Sequence, residues 1–308
     1  MSKKRIIFMG TPEISALYLK TLIDFQYNII AVFTQPARKK GRGMKFQISP
    51  VQKLAEEKGI KVFTPIELDS SDINNQFENL KPDLIVVMGY GLILPKYILS
   101  SPTFGCINIH VSLLPKWRGA APIEHAILNG DKKTGISIIK LVDKLDAGPI
   151  LEKRVVPIGD NINKGHLTSL LNKTGTNMLI EIIPKIFQNS IIPEIQNEEE
   201  ASYASKISAE MRKLDFNKNV FEIYNKIRAF SPNPLAWFLF NNERIRVVEA
   251  NYKEGNFEPS IIINDQFHIS CKNGIICPTI IQREGKNAID LKAFLRGYKF
   301  TIGSKVNA

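Results

Sequence analysis

Short apolar runs alternate with amphipathic segments through the first half of the chain. Residues 5–9 form an apolar run that ends at Gly10, and Pro12 opens the next segment, where its missing N–H costs nothing in the first turn of a helix. This alternation predicts a mostly parallel sheet covered by helices, an α/β domain of the Rossmann type. Further strands are predicted at 29–34, near Val62, and at 84–88, 106–110 and 136–141, and further helices at 50–58, 121–128 and 164–188.

The alternation stops after residue 188. Residues 189–205 contain Pro193 and three consecutive glutamates, a composition that predicts a linker. Beyond it, a predicted helix at 220–230 precedes short β-rich runs separated by Asn, Gly and Pro, which indicates a small all-β barrel or sandwich. Its predicted strands lie at 236–240, 245–250, 261–263, 267–270 and 275–281. The predicted domains are therefore an α/β domain over 1–188 and an all-β domain over 206–308.

The chain has 308 residues, of which 44% are hydrophobic and 23% charged, a composition that excludes a disordered chain, a collagen-like repeat and a coiled coil. Lys and Arg number 41 against 30 Asp and Glu, a net charge of +11, which suits a polyanionic partner but also fits a protein that excess lysine keeps soluble. Three cysteines without metal-ligand spacing favour a reduced compartment. No secretory signal and no apolar stretch near the roughly 20 residues of a membrane span are present, so we predict a cytoplasmic protein without a membrane partner.

The sequence lacks the nucleotide-binding motifs that many Rossmann-type domains carry. The turn after the first predicted strand has no G-x-G-x-x-G, and G-x-x-x-x-G-K-[ST] occurs nowhere in the chain. Binding of a nicotinamide dinucleotide or a nucleoside triphosphate is therefore not indicated. The histidines show no metal-site spacing, and we interpret His125, His166 and His268 as surface or packing residues. We predict no metal site.

Candidate chemistry lies at the end of the strand predicted over 106–110. Asn108 and His110 are two residues apart, so they project from the same face of the strand, near the carboxyl end where open α/β sheets bind ligands. An amide beside an imidazole could hold and polarise a carbonyl oxygen. The same side chains could instead satisfy backbone groups at the strand end, and the spacing alone does not decide between these roles.

A second candidate segment, LVDKLDAGPI at 141–150, carries two acids and a Gly-Pro turn. Either Asp143 or Asp146 could form that turn, because aspartate bonds readily to nearby backbone groups. A carboxylate beside His110 would instead raise the basicity of the imidazole and could relay a proton from an attacking amine. On this reasoning both acids remain candidates.

Segments along nearly the whole chain resemble the methionyl-tRNA formyltransferase family. They are GTPE after the first strand, FTQPARKKGRG, SPVQKLAEEKGI, GYGLILPK, INIHVSLLPKWRGAAPIEHAILNG, LDAG and SPNPLAWF. SLLP followed by RGAAP is the most specific part, whereas the Asn-x-His and Asp pattern is shared with a wider group of enzymes that use 10-formyltetrahydrofolate. The resemblance implies a Rossmann-like formyltransferase domain followed by a smaller OB-like barrel. It also implies transfer of a formyl group from the co-substrate 10-formyltetrahydrofolate to the α-amino group of methionine on initiator tRNA, by a monomeric enzyme.

The resemblance also implies roles for particular residues. The catalytic group would be Asn108, His110 and Asp146, because the Leu-Asp-x-Gly match favours Asp146 over Asp143. Lys144 departs from the pattern, since the family usually has glycine at this position. The implied folate contacts are Ser112, Leu113, Leu114 and Pro115 of SLLP, and Gly89, Tyr90, Gly91, Leu92 and Ile93 of the segment 89–95.

Basic residues cluster in the loop at 37–50, which holds five cations and no acid. Gly41 and Gly43 would let this loop bend around a phosphate backbone, although a run of charges is usually just a solvated surface. The resemblance implies that the loop wedges into the acceptor stem of the tRNA and that the barrel holds the tRNA electrostatically. The predicted tRNA contacts are Arg38, Lys39, Lys40, Arg42 and Lys45 in the loop, and Lys206, Arg212 and Lys213 at the start of the second domain.

Three other functions compete with this prediction. A sugar-nucleotide N-formyltransferase could carry the same catalytic residues, but the basic loop and RGAAP disfavour it. An RNA-binding protein on an inactive Rossmann scaffold is disfavoured by the intact Asn108, His110 and Asp146. A dehydrogenase should bind NADH, and the missing glycine fingerprint predicts no such binding.

We expect Arg42→Ala to lower kcat/KM for Met-tRNA by about ten- to hundredfold, the effect of losing a charge-assisted hydrogen bond of roughly 1.5–3 kcal/mol. Stability should change little, because Arg42 belongs to a predicted surface loop. Steady-state formylation kinetics and thermal unfolding of the variant and the parent measure both quantities. Equal kcat/KM for the two proteins would remove the loop from the function.

Overall fold

The computed structural model describes residues 4–40 and 43–307. They form two compact units, between which the chain passes several times. Two segments that the sequence-based boundaries assign to the first domain, 120–134 and 157–169, belong to the second compact unit. The first unit comprises Met1–Gly119, Gly135–Val156 and Leu170–Tyr203, and the second comprises Ala120–Thr134, Pro157–Ser169 and Ala204–Ala308.

Helices and strands alternate in the first half of the chain, and strands predominate in the last third. The strands are β1 (Arg5–Gly10), β2 (Asn28–Phe33), β3 (Arg38–Lys40), β4 (Lys45–Gln47), β5 (Val62–Phe63), β6 (Leu84–Met88), β7 (Cys106–His110), β8 (Arg118–Gly119), β9 (Lys133–Lys140), β10 (Ile150–Pro157), β11 (Tyr203–Ala204), β12 (Ala236–Phe240), β13 (Glu243–Glu254), β14 (Ile269–Cys271), β15 (Gly274–Arg283) and β16 (Ala288–Asp290). The helices are α1 (Glu13–Asp24), α2 (Pro50–Glu57), α3 (Ser71–Leu80), α4 (Lys96–Ser100), α5 (Pro122–Leu128), α6 (Lys164–Phe187), α7 (Val220–Phe230) and α8 (Leu291–Gly297).

A seven-stranded sheet in the order β10-β9-β7-β6-β1-β2-β5 forms the centre of the first unit. β1 pairs in parallel with β2 and β6, and β6 pairs in parallel with β7, whereas β7 and β9 are antiparallel. Every residue of β6 is buried, as its continuous apolar run requires of a strand covered on both faces. The sheet confirms the predicted Rossmann-like α/β domain, and β6 and β7 have the predicted bounds.

The second unit contains an antiparallel sheet in the order β12-β13-β15-β14, with β16 paired to β15. Helix α7 packs against β13 and β15 and has the predicted bounds. Trp237 and Phe238 of β12 are 8% and 0% exposed, so the SPNPLAWF segment supplies core side chains. The predicted C-terminal β domain is thus confirmed.

One strand prediction in this unit is wrong. Residues 261–263 make only isolated bridges, to Lys305 and to Ile269. Asn264 explains the interruption, because its side-chain oxygen accepts hydrogen bonds from the N–H groups of Gln266 and His268, at 3.1 and 3.2 Å. These bonds turn the chain directly after the apolar run, so that the run stays too short to extend a sheet.

The segment predicted as a linker, 189–205, lies largely within the first unit. Glu194 exchanges two backbone hydrogen bonds of 2.8 Å with Ile150 at the start of β10. Glu198 faces the fully buried guanidinium of Arg118, with distances of 3.1 Å from Oε2 to Nη1 and 2.9 Å from Oε1 to Nη2. Lys144 Nζ lies 2.6 Å from Glu198 Oε2. Backbone bonds and ion pairs therefore hold this segment within the unit.

The Glu198 carboxylate contributes to stability in a defined pH range. Hydrogen bonds from Arg118, and then from Lys144, lower the pKa of Glu198 to about 2. A carboxylate whose pKa is lowered by folding stabilises the folded state above its ordinary pKa of 4.5. That stabilisation is lost as the pH falls through the folded-state pKa near 2.

We therefore expect the parent protein to lose more stability than Glu198→Gln as the pH falls from about 4.5 to about 2. Urea unfolding at several pH values in this range measures the difference. Glu199→Gln is the matched control, because Glu199 is the exposed neighbour of Glu198 and should follow the parent. If the stability of Glu198→Gln and of the parent declined in parallel, the ion pairs of Glu198 would not contribute.

Candidate active site

β7 places Asn108 and His110 where the direction of the sheet changes. On one side, Asn108 is in register with Val87 of the parallel strand β6, and on the other side His110 is in register with Ser137 of the antiparallel strand β9. His110 is the last residue of β7 and is 6% exposed, while Asn108 is half-buried. Both side chains therefore lie at the carboxyl half of a central strand, the region in which open α/β sheets bind ligands.

Asp146 joins these two side chains from the loop between β9 and β10. Its Oδ2 lies 3.6 Å from His110 Nδ1, and its Oδ1 accepts a hydrogen bond of 3.4 Å from Asn108 Nδ2. The backbone N–H of Gly119 also donates to Oδ2, at 2.8 Å. Asp143, the other candidate acid, is 70% exposed and lies 4.0 Å from Lys96 Nζ. The structure thus brings Asn108, His110 and Asp146 together and leaves Asp143 on the surface.

The loop at 141–149 is folded back tightly onto its own strand. The Lys140 N–H donates to Pro149 O at 2.9 Å, and a Cβ on Gly148 would lie only 1.7 Å from Lys140 O. Only glycine fits at position 148, which explains the glycine of the Asp-Ala-Gly-Pro run. Asp146 itself has a φ of +49°, a left-handed conformation that costs a residue with a side chain about 1–2 kcal/mol. This backbone conformation needs support from other segments.

The second ring nitrogen of His110 is also engaged. Nε2 lies 2.8 Å from the backbone oxygen of Trp117, and because a carbonyl oxygen only accepts, Nε2 is the donor in this contact. Trp117 has a φ of +63°, so a second residue at the site adopts the left-handed region. Strained residues of this kind cluster at functional sites, where the surrounding structure holds them. The ring of His110 is therefore held through Nε2 by the turn that follows β7, and its Nδ1 faces Asp146 Oδ2 at 3.6 Å.

Hydrogen bonds of serine hydroxyl groups and the packing of Leu114 hold the turn 112–115. Ser112 is fully buried and donates to Lys116 O at 2.6 Å. Ser137 donates to Ser112 O at 2.8 Å and accepts from the Leu114 N–H at 3.0 Å, which ties the turn to β9. Leu114 is 2% exposed and packs in a cluster with Ile139 and Ile150. Of the four predicted folate contacts in this turn, Ser112 and Leu114 thus shape it, and Leu113 and Pro115 remain half-buried at its surface.

The predicted folate contacts at 89–93 follow β6 directly, beside β7 in the sheet. Gly89 and Gly91 have φ values of +58° and +92°, which only glycine adopts without strain. Tyr90 is buried in the core, and its backbone oxygen accepts a hydrogen bond of 3.0 Å from Thr11 Oγ1. Leu92 is half-buried and Ile93 is 78% exposed. This segment combines a fixed backbone with an accessible apolar surface.

The basic loop forms an antiparallel hairpin of β3 and β4, which was not predicted. Arg38, Lys39 and Lys45 are exposed, and Arg38 donates to the side-chain oxygen of Gln35 at 2.8 Å. Phe46, 70% exposed, lies beneath Lys39, whose Nζ is 5.7 Å from the ring centre. The hairpin therefore presents both cationic and apolar side chains to solvent. Arg42 and the side chain of Lys40 lie outside the described residues.

The three predicted tRNA contacts of the second unit differ in their surroundings. Lys206 is exposed. Arg212 is half-buried and donates to Pro234 O at 3.1 Å, and Lys213 Nζ lies 5.9 Å from the centre of the Trp237 ring. Lys206 thus presents its whole charge to solvent, whereas Arg212 and Lys213 also stabilise their own unit.

Within residues 4–40 and 43–307, no three His, Cys, Asp or Glu side chains lie close enough together to hold a metal ion. All three cysteines are free and buried, and burial raises the pKa of the Cys106 thiol to about 12. Among the described helices, none is long and apolar enough to cross a membrane.

Sequence reasoning missed two buried polar residues of this site, Arg118 and Gln196. Arg118 is fully buried and Gln196 is 6% exposed, and the two are hydrogen-bonded to each other. Arg118 is the arginine of RGAAP, so the motif marked it without indicating a role. Gln196 lies in a polar segment whose composition predicts exposure, and no local signal distinguishes it.

Solved structures share this fold. An N-formyltransferase from Helicobacter canadensis, in complex with folinic acid and dTDP-3-aminofucose, superposes with a TM-score of 0.68 over 89% of this chain and 99% of its own, at 20% identity. HypX from Aquifex aeolicus, in complex with tetrahydrofolic acid, superposes with a TM-score of 0.67 over 98% of this chain and 51% of its own, at 15% identity. At these identities the likeness concerns the fold.

Sequence comparison identifies the family. Residues 4–183 match the family described as formyl transferase, and residues 206–299 match the formyl transferase C-terminal domain. A methionyl-tRNA formyltransferase of a Wolbachia sp. from Drosophila simulans is 42% identical over 301 residues, which cover 98% of this chain and 99% of the relative. That of Pseudomonas fluorescens is 38% identical over 309 residues, covering 99% and 97%. With the full length matched and the candidate residues converging on β7, this chain belongs to the methionyl-tRNA formyltransferase family.

Proposed function

We propose that this protein transfers the formyl group of 10-formyltetrahydrofolate to the α-amino group of methionine on initiator tRNA. The convergence of Asn108, His110 and Asp146 at the end of β7 is the observation that carries the proposal. An amide, an imidazole and a carboxylate in contact suit acyl transfer to an amine. Family membership over the full length supports methionyl-tRNA as the acceptor.

The reaction forms one C–N bond and breaks another. The neutral amine of methionine attacks the formyl carbon, which gives a tetrahedral intermediate with a negatively charged oxygen. Asn108 Nδ2 would donate to this oxygen, as would His110 Nε2 once it exchanges Trp117 O for the substrate. Each such donor contributes roughly 3–4 kcal/mol to transition-state stabilisation in other acyl-transfer sites. Collapse of the intermediate then breaks the bond between the formyl carbon and N10.

Asp146 is the proposed proton carrier of this site. The attacking nitrogen must lose a proton and the departing N10 must gain one, so a single group between them can serve both steps. Asp146 faces His110 at 3.6 Å and is held by the Gly119 N–H, which leaves its carboxylate oriented towards the ring. It would therefore orient His110 as well as carry the proton.

The segments beside β7 supply a folate site in this proposal. The turn 112–115 and the segment 89–93 flank the end of β7, and both offer half-buried or exposed apolar side chains next to a fixed backbone. The presence of folinic acid in the Helicobacter structure and of tetrahydrofolic acid in HypX supports a folate co-substrate on this fold. The proposed chemistry needs no metal.

The tRNA would be held by exposed cations. Arg38, Lys39 and Lys45 on the hairpin and Lys206 in the second unit can neutralise phosphates without breaking an internal ion pair. Arg42 belongs to the same loop by sequence, and Arg212 and Lys213 would add weaker contacts. We further propose that the enzyme acts in the cytoplasm, and that it acts as a monomer, as the resemblance implies.

Formylation can be tested directly. Purified protein, 10-formyltetrahydrofolate and initiator Met-tRNA should give a tRNA band of altered mobility on an acid-urea gel, whereas a reaction without the folate should give none. A dTDP-amino sugar, assayed in parallel, tests the sugar-formylating alternative. No shift of Met-tRNA together with formylation of the sugar would replace the proposed function by that alternative.

We expect Asp146→Asn to lower kcat by about 100- to 10,000-fold, the usual contribution of a general acid–base group, with KM for both substrates little changed. The amide keeps the size of the side chain but cannot take up the proton. Asp143→Asn, three residues away and exposed, is the matched control and should retain parental kinetics. Near-parental turnover of Asp146→Asn with an unchanged pH profile would refute the role of Asp146.

A further inference from the structure

We propose that Gln196 is a positioning residue for Asp146 and that Arg118 fixes Gln196 in turn. The segment predicted as a linker would then hold the loop that carries Asp146. The inference rests on the proposed function insofar as Asp146 acts in formyl transfer. The contacts themselves do not depend on that role.

Gln196 holds the backbone on both sides of the Asp-Ala-Gly run. Its Nε2 donates to the backbone oxygens of Asp146 and Gly148, both at 2.7 Å. A primary amide has two N–H donors, so both are used in one loop. Gln196 is 6% exposed, and losing these bonds would leave two carbonyl oxygens without their donor in a buried setting. One side chain therefore secures the loop that carries Asp146.

Arg118 determines which way the Gln196 amide points. Its Nε and Nη2 donate to Gln196 Oε1, at 3.2 and 2.8 Å. Because a guanidinium only donates, the oxygen of the amide must face Arg118, and the NH₂ group must face the loop. Arg118 is fully buried and is itself held by the paired bonds to Glu198. The side chains thus form a chain of bonds from Glu198 through Arg118 and Gln196 to the Asp146 backbone.

Residues of β8 act on both the backbone and the side chain of Asp146. Arg118 acts on the Asp146 backbone through Gln196, and the next residue, Gly119, donates its N–H to the Asp146 side chain. Asp146 needs such support because its φ of +49° is unfavourable for a residue with a side chain. The Arg118 contact to Gln196 and the Gly119 N–H therefore fix the positions of the Asp146 backbone and carboxylate. A shift of β8 or of Gln196 would move the carboxylate relative to His110.

Lys144 extends the same chain of bonds in this protein. The family usually has glycine at this position, but Lys144 has a negative φ, so its side chain causes no backbone strain. Its Nζ lies 2.6 Å from Glu198 Oε2, the oxygen that also accepts from Arg118 Nη1. The lysine therefore ties the loop before Asp146 to the residue that holds Arg118.

Gln196→Glu tests the proposal, because glutamate is nearly isosteric and still accepts from Arg118 but presents oxygens to two carbonyls. We expect kcat for Met-tRNA formylation to fall about 10- to 100-fold, the cost of misplacing a catalytic group by about 1 Å, with both KM values changed less than about threefold. Gln188→Glu is the matched control, with the same change at an exposed glutamine of the same unit, and should retain parental kinetics. A merely structural role would lower activity only in proportion to the folded fraction, and that result would overturn the proposal.

A second measurement does not require activity. The ¹⁵N chemical shifts of the His110 ring report its contact with Asp146, and His110→Gln identifies its signals among those of four histidines. We expect Gln196→Glu to shift these signals, and Gln188→Glu to leave them in place. If the His110 signals of Gln196→Glu matched those of the parent, the positioning role would be overturned, whether or not the parent formylates Met-tRNA. If the signals shifted but the parent formylated no Met-tRNA, only the proposed function would be refuted. Gln196→Met, which lacks the donors and adds no charge, gives the same comparison should Gln196→Glu fail to fold.

Discussion

A carboxyl group that is only 8% exposed must be surrounded by hydrogen-bond donors, and Asp146 imposes that requirement on the rest of the site. Its oxygens face Asn108 Nδ2, the Gly119 N–H and His110 Nδ1. Because the donors Asn108 and Gly119 belong to two different strands, β7 and β8, satisfying the carboxyl group brings both strands to one place. A buried charge without partners would destabilise the fold by far more than any one of these hydrogen bonds stabilises it. Few other arrangements of β7, β8 and this loop are therefore stable.

The sheet explains why the donors are where they are. β7 lies between a parallel and an antiparallel neighbour, so the turn after His110 meets the middle of β9 rather than another loop. Ser137 of β9 bonds to both ends of that turn, at Ser112 and Leu114. The loop after β9 begins beside the start of β7, where the Leu141 N–H donates to Cys106 O, and it must fold back over the sheet for Asp146 to reach His110. The tight approach at Gly148 allows this return.

The sequence predicted those parts of the site that depend on local pattern. β6 is a continuous apolar run bounded by turn residues, and the alternation of apolar and polar residues along β7 put Asn108 and His110 on one face. The pairing of Asp146 with them came from resemblance, since 36 residues separate it from His110 and periodicity carries no information over that distance. Gln196 could not be found at all, because a polar residue beside three glutamates has the pattern of an exposed segment. Its burial results from bonds to residues about 50 and 80 positions away.

The net charge of the chain does not show which cationic side chains are available to a polyanion. Arg118 is enclosed by Gln196 and Glu198, and Arg228 of α7 is 8% exposed and donates to the backbone oxygens of Gly159 and Ile162. Burial lowers the pKa of Arg228, because a desolvated guanidinium is less favourable than one in water. Such residues count fully towards the formal +11 yet cannot meet a phosphate without unfolding their surroundings. The charge available to a polyanion is therefore smaller than the formal value and more localised, on side chains that the fold leaves in solvent.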